Sequence, residues 1–463
     1  MAISLNKPRE ILERFISGPV DIASLAAFRF LFGLLMAAAM VRFLAKGWIR
    51  LLYIEPRFFF SYPGLEWLRP WPGFLMHVHF IVLAILALGI AFGIFYRVCI
   101  ALFFLGFTYV ELLDQTAYLN HYYLISLLSG LLIFLPAHRA WSIDVWRKPQ
   151  LRLEAVPAWC LNLLRFQVAV VYVFAGLAKF NADWLLRAEP LRIWLPARSD
   201  LPLVGPWLGQ AWVAYGASWF GALFDTSIVF CLLWRRTRWP AYALLVLFHV
   251  ATWVLFNIGM FPWIMIVAAL LLFPADWPRR WLAWLRGRGA DSQTALSPQR
   301  GGARDEISFG LWSDRPCSFL LVLLAAYAAV QVALPLRPWL VSQPSAWTCA
   351  GFNCAWRVMI AEKTGYAEFY AFDPSTSRRW RLSVKNFLTP RQETLMAQDP
   401  YLVRAMGRRL AADLKARGLV QAQVTVDAFA ALNGRPSQPL IDPNVNLAGP
   451  VPDGWIVPLR QAE

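Results

Sequence analysis

Long apolar runs separated by short polar stretches fill most of the first 334 residues. Nine of these runs are candidates for membrane-spanning helices, because a straight helix needs about 20 apolar residues to cross a bilayer. Several runs are shorter, so tilting, re-entrant geometry or burial within the bundle stays open for them. The predicted spans cover residues 22–44, 73–95, 98–113, 119–135, 158–180, 211–234, 240–256, 258–273 and 317–334.

The pattern changes after the last of these runs. Residues 356–372 alternate in the manner of a β-hairpin that turns at residues 363–365, and residues 378–387 continue in the same style. Residues 391–418 are amphipathic with helical spacing, and residues 422–431 alternate again. The tail therefore predicts a small α+β domain.

These patterns predict two folded parts joined by a linker. The fold class is an α-helical polytopic membrane bundle of about nine spans followed by a smaller α+β domain outside the cytoplasm. The linker is predicted because its residues are small, polar and free of large apolar side chains. The predicted divisions are a transmembrane domain (1–286), a cytoplasmic linker (287–316), a last transmembrane helix (317–334) and an extracytoplasmic β-rich domain (335–463).

Composition supports a membrane protein, since 59% of the residues are hydrophobic and only 16% are charged. The net charge of +16 raises nucleic-acid binding as an alternative. The arginines, however, lie between apolar runs, where they set orientation and meet anionic lipid headgroups. We therefore expect no nucleic-acid partner. No cleavable signal peptide precedes the first run, which we expect to remain as an anchor.

Lysine and arginine are distributed unevenly when the loops are assigned alternately to two sides. The richer set includes the N-terminal segment, residues 139–152, 235–238 and 279–315. The N-terminus is therefore predicted to be cytoplasmic, and an odd number of spans puts the tail outside. The expected location is the inner membrane of a bacterium, or the endoplasmic reticulum membrane in a eukaryote.

One apolar run, CLNLLRFQVAVVYVFAGLAKFNADW, contains a lysine near its end, Lys179. A buried ammonium is costly at membrane depth, so this lysine is either a neutral amine base or a residue that snorkels to the headgroups. His121, His249 and Asn257 are expected at a comparable depth, because odd spans run outward and even spans run inward. Together these residues predict a site that removes a proton from a weak acid, such as a phenol dissolved in the membrane.

Several of these polar residues also have a purely structural explanation. His249 is also explained as a hydrogen-bonded core histidine, and Asn120 and Asn257 as helix caps. No carboxylates stand at ligand spacing from the histidines, so no metal cofactor is expected. In the tail, the segment TCAGFNC allows Cys349 and Cys354 to close a small disulfide loop in an oxidising compartment, with two free thiols as the alternative.

Six stretches carry a resemblance that covers nearly the whole chain. They are DIASLAAFRFLFGLLM, FYRVCIALFFLGFTYVELLDQTAYLNHYYLISLL, VYVFAGLAKFNADWL, FNIGMFPWIM, WTCAGFNCAWRVMI and IDPNV. The chain resembles the vitamin K-dependent γ-glutamyl carboxylases and their bacterial relatives with the same HTTM transmembrane domain. The last two stretches resemble the lumenal domain of that family.

The resemblance implies a reaction that joins reduced vitamin K, O2, CO2 and a peptidyl glutamate. In that family the lysine in the position of Lys179 is regarded as the base that deprotonates the quinol, and the histidine in the position of His121 assists. The oxygenated quinol becomes a strong base that removes the glutamate γ-proton, the carbanion captures CO2, and the quinol leaves as an epoxide. Such a base survives only where water is excluded.

The resemblance also implies partners, and further residues are candidates for contact with them. The implied partners are a glutamate-containing peptide or protein, membrane lipid and quinone. Arg357 stands where an acidic residue is expected, which keeps two alternatives open: an epoxidase without glutamate carboxylation, and a non-catalytic quinone- or lipid-binding protein. The candidates for cofactor contact are Asn120, Tyr122, Trp184, His249 and Asn257, and those for peptide contact are Trp347, Trp356 and Arg357.

Overall fold

The computed structural model describes residues 16–287 and 318–460. These residues form a helical bundle and a smaller domain with a four-stranded sheet. Nearly all of the predicted linker, and Cys317 at the start of the predicted last span, lie outside the described residues.

Each of the nine predicted spans contains a helix. Most of these helices are apolar around their whole circumference, as expected for segments that contact protein on one side and lipid on the other. In chain order the α-helices are α1 (Ala23–Ala45), α2 (Phe74–Phe92), α3 (Tyr96–Leu112), α4 (Asn120–Phe134), α5 (Ile143–Arg147), α6 (Ala158–Leu177), α7 (Ala182–Arg187), α8 (Leu191–Trp194), α9 (Gly205–Leu208), α10 (Ala211–Leu233), α11 (Arg238–Leu255), α12 (Phe261–Ala269), α13 (Trp277–Leu285), α14 (Ser318–Leu336), α15 (Ser345–Thr348), α16 (Pro390–Met396) and α17 (Pro400–Ala416).

Six of the described helices are long and apolar enough to cross a membrane, or seven if one bent pair counts as a single span. That pair is Phe261–Leu272 and Trp277–Leu285, whose axes differ by 97°. The predicted count of nine spans is not confirmed, because α3, α4 and α12 have only 17, 15 and 9 residues. The apolar helices nevertheless identify a membrane protein.

Polar contacts gather at the two ends of the bundle. At one end, Pro19–Asp21 (β1) pairs antiparallel with Ala155–Pro157 (β2). Arg279 links β1 to the residue before β2, because its guanidinium donates to Asp21 at 2.8 Å and to Glu154 at 2.7 Å. This end carries the arginine-rich loops that the sequence assigns to the cytoplasmic side.

At its other end the bundle meets the smaller domain. Helix α17 packs on the central strands, and Phe60, from the loop after α1, belongs to the same hydrophobic core. The two parts therefore share apolar contacts as well as polar ones. The sheet has the order β4-β3-β5-β6 with antiparallel pairing throughout, and its strands are β3 (Lys363–Asp373), β4 (Arg378–Leu382), β5 (Gln423–Leu432) and β6 (Gln438–Pro439).

The predicted turn at residues 363–365 is wrong. Those residues begin β3, and the chain turns instead at residues 374–377, between β3 and β4. Gly365 is explained by packing, because a Cβ at this position would clash with the carbonyl group of Ala397. The strand predicted at residues 422–431 is present as β5.

The predicted helix over residues 391–418 is two helices. Thr389 caps α16 with a complete capping box, and Asp399 caps α17 by accepting from the N–H of Tyr401. Each cap is followed by a proline in the first helical turn, which favours starting a new helix at that point.

No disulfide joins Cys349 and Cys354, which are free thiols. Sγ of Cys349 lies 3.8 Å from Nζ of Lys363, whereas the N–H of Cys354 donates to the hydroxyl oxygen of Tyr118. Burial raises the pKa of the Cys349 thiol to about 12. The structure thus corresponds to the alternative with two free thiols.

Candidate active site

Lys179 lies just after the last residue of α6, and its side chain turns back into the bundle. Its Nζ donates to the carbonyl of Ala175, one turn earlier, at 3.1 Å and to Oδ2 of Asp225 at 2.7 Å. Only 5% of the residue is exposed. The amine is held inside the protein, so the snorkelling alternative does not describe this structure.

Asp225, the partner of Lys179, was missed by the sequence analysis. Helices α6 and α10 come into backbone contact at Gly176, where a Cβ would lie 2.7 Å from the backbone nitrogen of Thr226. Because Gly176 lies three residues before Lys179 and Thr226 follows Asp225, this close approach brings the amine and the carboxylate together. A lone carboxylate within the apolar run 211–234 was itself a signal for a functional site.

The sequence left a single neutral amine as one alternative for Lys179, whereas the structure shows a lysine paired with a carboxyl group. With the proton on nitrogen the two groups are an ammonium and a carboxylate, and with the proton on oxygen they are an amine and a carboxylic acid. Both forms have no net charge, which limits the cost of burial. One additional proton converts either form into an ammonium beside a carboxylic acid.

His249 and Tyr172 form a second buried polar contact. The Tyr172 hydroxyl lies 2.8 Å from Nε2 of His249, and the two residues are 2% and 3% exposed. Tyr172 precedes Lys179 by seven residues, which is about two helical turns, so both start from the same face of α6. His249 is thus hydrogen-bonded, as its structural explanation requires, and it also borders the Lys179 cavity.

The Lys179 cavity has a volume of about 280 Å³ and an almost entirely apolar wall. Trp184 borders it with a ring whose centre lies 5.2 Å from Nζ of Lys179, while its indole N–H donates to a backbone carbonyl. Phe220 and Leu247 also line the cavity and are 43% and 65% exposed on the outside of the bundle. The cavity is therefore bordered by lipid-facing side chains and suits an aromatic ring with one acidic hydroxyl group.

His121 lines a second cavity of about 690 Å³, together with Asn120, Tyr122 and Asn257. The His121 and Tyr122 ring centres are 4.6 Å apart. Two arginines border the His121 cavity as well, Arg42 from α1 and Arg391 from α16. Neither arginine forms an ion pair with any residue in the described ranges 16–287 and 318–460. A cavity with two unpaired guanidinium groups favours an anionic ligand.

The predicted site is divided between these two adjoining cavities. Lys179 and His249 line the smaller one, whereas His121 and Asn257 line the larger one. The Phe261 ring centre lies 6.1 Å from that of His121 and 6.4 Å from that of His249, so Phe261 separates the two histidines. The residues that border both cavities are Phe256, Ile258, Phe261, Val358 and Met359.

The three candidates for peptide contact line neither of these cavities. Trp347 is fully buried in the core of the smaller domain, and Trp356 is fully buried against Tyr123 of α4, with ring centres 5.1 Å apart. The Arg357 guanidinium lies over an indole ring, and its carbonyl accepts from the side chain of Asn120. Val358 and Met359, which directly follow Arg357 and were not among the candidates, line both cavities instead.

Polar contacts hold the smaller domain over the two cavities. Arg435 donates to both carboxylate oxygens of Asp183, at 2.6 and 2.8 Å, and Asn433 donates to the same group at 2.9 Å. Burial raises the pKa of Asp183, but these hydrogen bonds outweigh it and leave the pKa below its ordinary value. Gln392 similarly donates to Asp114 of the bundle at 2.7 Å.

Two family models match the chain. The HTTM domain matches residues 18–277, and the lumenal domain of vitamin K-dependent gamma-carboxylase matches residues 317–462. The first match ends at the first residue of α13, and the second begins one residue before α14. No solved structure matches the chain at a significant level.

Proposed function

The chain belongs to the vitamin K-dependent γ-carboxylase family, and from this premise we propose that it is an enzyme which converts reduced vitamin K to its epoxide and carboxylates a peptidyl glutamate. Reduced vitamin K supplies the acidic hydroxyl group and the reducing electrons, and O2 and CO2 are the co-substrates. The observation that carries the proposal is the buried Lys179–Asp225 pair beside an apolar cavity that borders the lipid.

The Lys179–Asp225 pair is proposed to accept the hydroxyl proton as a unit. The proton reaches Nζ of Lys179 directly, or Oδ2 of Asp225 through Nζ, and the product is the same ammonium beside a carboxylic acid. That product has one positive charge, which faces the oxyanion left behind and stabilises it. Because the shared proton can lie on Nζ of Lys179 or on Oδ2 of Asp225, proton removal does not require one rare protonation state of the pair.

The walls of the Lys179 cavity are proposed to orient the ring and exclude water. Trp184 and Phe248 border the site of the aromatic ring, and the exposed edges of α10 and α11 lead to the membrane in which a quinone tail dissolves. Water exclusion is needed because a strong base would otherwise take its proton from solvent. His249, held by Tyr172, supports this wall at the depth of the pair.

The His121 cavity is proposed to hold the glutamate side chain. Arg42 and Arg391 approach it from different domains, so a carboxylate bound between them would also be fixed relative to the smaller domain. His121 is then a polar contact for the substrate carboxyl group rather than the first base. The match to a lumenal domain supports an arrangement in which the smaller domain, with Arg391, faces away from the cytoplasm.

The test supplies purified protein with chemically reduced vitamin K, a glutamate peptide and labelled bicarbonate, and measures epoxide and fixed label separately. The proposal expects both products from the natural chain and neither from Lys179→Ala. Epoxide without fixed label would indicate an epoxidase that does not carboxylate glutamate. The two separate cavities are compatible with this alternative, because epoxide formation would need only the Lys179 cavity. Neither product, from protein that binds the quinol, would indicate a non-catalytic quinone-binding protein.

A further inference from the structure

Val358 and Met359 come from the smaller domain, yet they border both the Lys179 cavity and the His121 cavity. The other residues shared by the two walls, such as Phe261, belong to the bundle. The partition between the cavities is therefore completed by a segment of the other domain. Val358 and Met359 are two of the five residues at the boundary between the cavities.

Two contacts fix this segment against the bundle, and a third closes a turn within it. The Trp356 side chain is fully buried and stacks on Tyr123 of α4 at 5.1 Å between ring centres. The amide of Asn120, which lines the His121 cavity, donates to the carbonyl of Arg357 at 3.4 Å. The N–H of Val358 donates to the carbonyl of Trp356 at 2.9 Å, which closes a tight local turn.

The backbone of the segment adopts an unusual conformation at both ends. Trp356 has φ 53° and Met359 has φ 54°, in the left-handed region that residues with a Cβ seldom occupy. Such conformations persist where the surroundings determine them, and they are concentrated at functional sites. At Met359 the conformation directs an unbranched, adaptable side chain to the boundary between the two cavities.

We infer that Val358 and Met359, held in place by Trp356 and Arg357, complete the partition that couples the two half-reactions, with Met359 as the positioning residue at the boundary. This inference rests on the proposed function, in which the strong base forms in the Lys179 cavity and the glutamate waits in the His121 cavity. The base and the γ-proton must meet at the boundary, while water from the larger and more polar cavity must be kept out of the Lys179 cavity. A side chain at position 359 that is large enough to exclude water but small enough to let the two groups meet satisfies both conditions.

The first test compares the ratio of fixed label to epoxide at saturating quinol. Met359→Ala opens the partition to water, and we expect the ratio to fall about tenfold, because small changes of position or solvation at a reacting centre have effects of this size. Met359→Leu keeps most of the volume and should keep most of the ratio. Met406→Ala is the matched control: Met406 is buried in the core of the same domain but lines neither cavity, so its loss should lower both products in proportion.

A second measurement, thiol labelling in the Lys179 cavity, tests the partition even if the natural chain does not carboxylate the peptide. A cysteine introduced as Ala217→Cys lies on the wall of the Lys179 cavity, and a charged thiol reagent approaches it from water because such a reagent does not dissolve in lipid. Mass spectrometry at position 217 should show labelling several times faster when Met359→Ala is added, and little change with Met359→Leu. Equal labelling in all three proteins, or an unchanged product ratio in Met359→Ala, would overturn the inference. A natural chain that makes no epoxide contradicts the proposed function instead, and the labelling result still decides the partition.

Discussion

Nζ of Lys179 lies 2.7 Å from Oδ2 of Asp225, and both side chains are less than one-tenth exposed. Each group is acceptable at this depth because the other is present, since an isolated buried charge is strongly destabilising. The same relationship provides a proton acceptor that begins without net charge. Stability and proposed chemistry therefore depend on one contact, and separate variants can distinguish them.

We expect Lys179→Ala to lower the free energy of unfolding by roughly 3–5 kcal/mol, because it leaves the Asp225 carboxylate buried without its partner. The double variant Lys179→Met, Asp225→Leu removes both charges at similar volume and should recover most of that loss. Denaturant unfolding of the natural chain, Lys179→Met, Asp225→Leu and the double variant in one detergent measures the coupling. Losses that simply add would show that the two groups do not interact.

Epoxide formation should depend on the proton-accepting ability of the pair rather than on its charge. Lys179→Arg keeps a cation, but a guanidinium stays protonated, so we expect the rate to fall at least about 100-fold. Asp225→Asn keeps the hydrogen-bond acceptor but cannot take up a proton, so its rate of epoxide formation should also fall. His121→Ala changes the neighbouring cavity and should lower this rate less. Initial rates with quinol reduced beforehand measure the effect, and near-normal turnover in Lys179→Arg would exclude Lys179 as the base.

Removing an arginine from the His121 cavity should weaken binding of the acidic substrate. We expect Arg42→Ala or Arg391→Ala to raise the KM for a glutamate peptide about 10-fold or more, since a hydrogen bond to a charged group contributes about 1.5–3 kcal/mol. The KM for the quinol should change much less. Arg408→Ala serves as the control, because Arg408 is an exposed arginine of the smaller domain, like Arg391, but lines neither cavity. A similar rise in that variant would indicate a general effect of charge.

The contact between Asp183 and Arg435 should make docking of the smaller domain sensitive to acid. The pKa of Asp183 in the folded protein lies below the ordinary value of 3.8. Its stabilising contribution is therefore present above pH 3.8 and is lost as the pH falls through the lower, folded value. Unfolding curves between pH 6 and about pH 3 should show that Asp183→Asn is less stable at the upper end and less dependent on pH. Asp200→Asn, at an exposed carboxylate, should behave like the natural chain.

The tail should lie outside the cytoplasm, because the arginine-rich loops lie at the end of the bundle opposite the smaller domain. A reporter that works only in the cytoplasm should be inactive when it is joined to the C-terminus and active when it is joined to the N-terminus. The reverse pattern would place the two cavities on the cytoplasmic side and would contradict the predicted orientation.

The sequence was sufficient for the features that depend on local composition. Apolar runs predicted helices in all nine places, and alternation predicted β5 correctly. The motif around Lys179 helped to identify the family, and it made Lys179 the candidate base. Caps such as Thr389–Pro390 and Asp399–Pro400 were also present in the sequence, so the break between α16 and α17 was predictable from the signals that start helices.

Only the tertiary structure decided which residues share a cavity. Helices α6 and α10 are apolar on nearly every side, so the periodicity of their residues does not indicate how each is rotated about its axis. Gly176 settles this rotation through a backbone contact that brings Asp225 to Lys179 and leaves His121 on the other side of Phe261. The entry of Val358 and Met359 into both walls likewise depends on docking between domains. In this protein the sequence determined the elements and the family, whereas long-range packing of uniformly apolar helices determined the partners of each polar group.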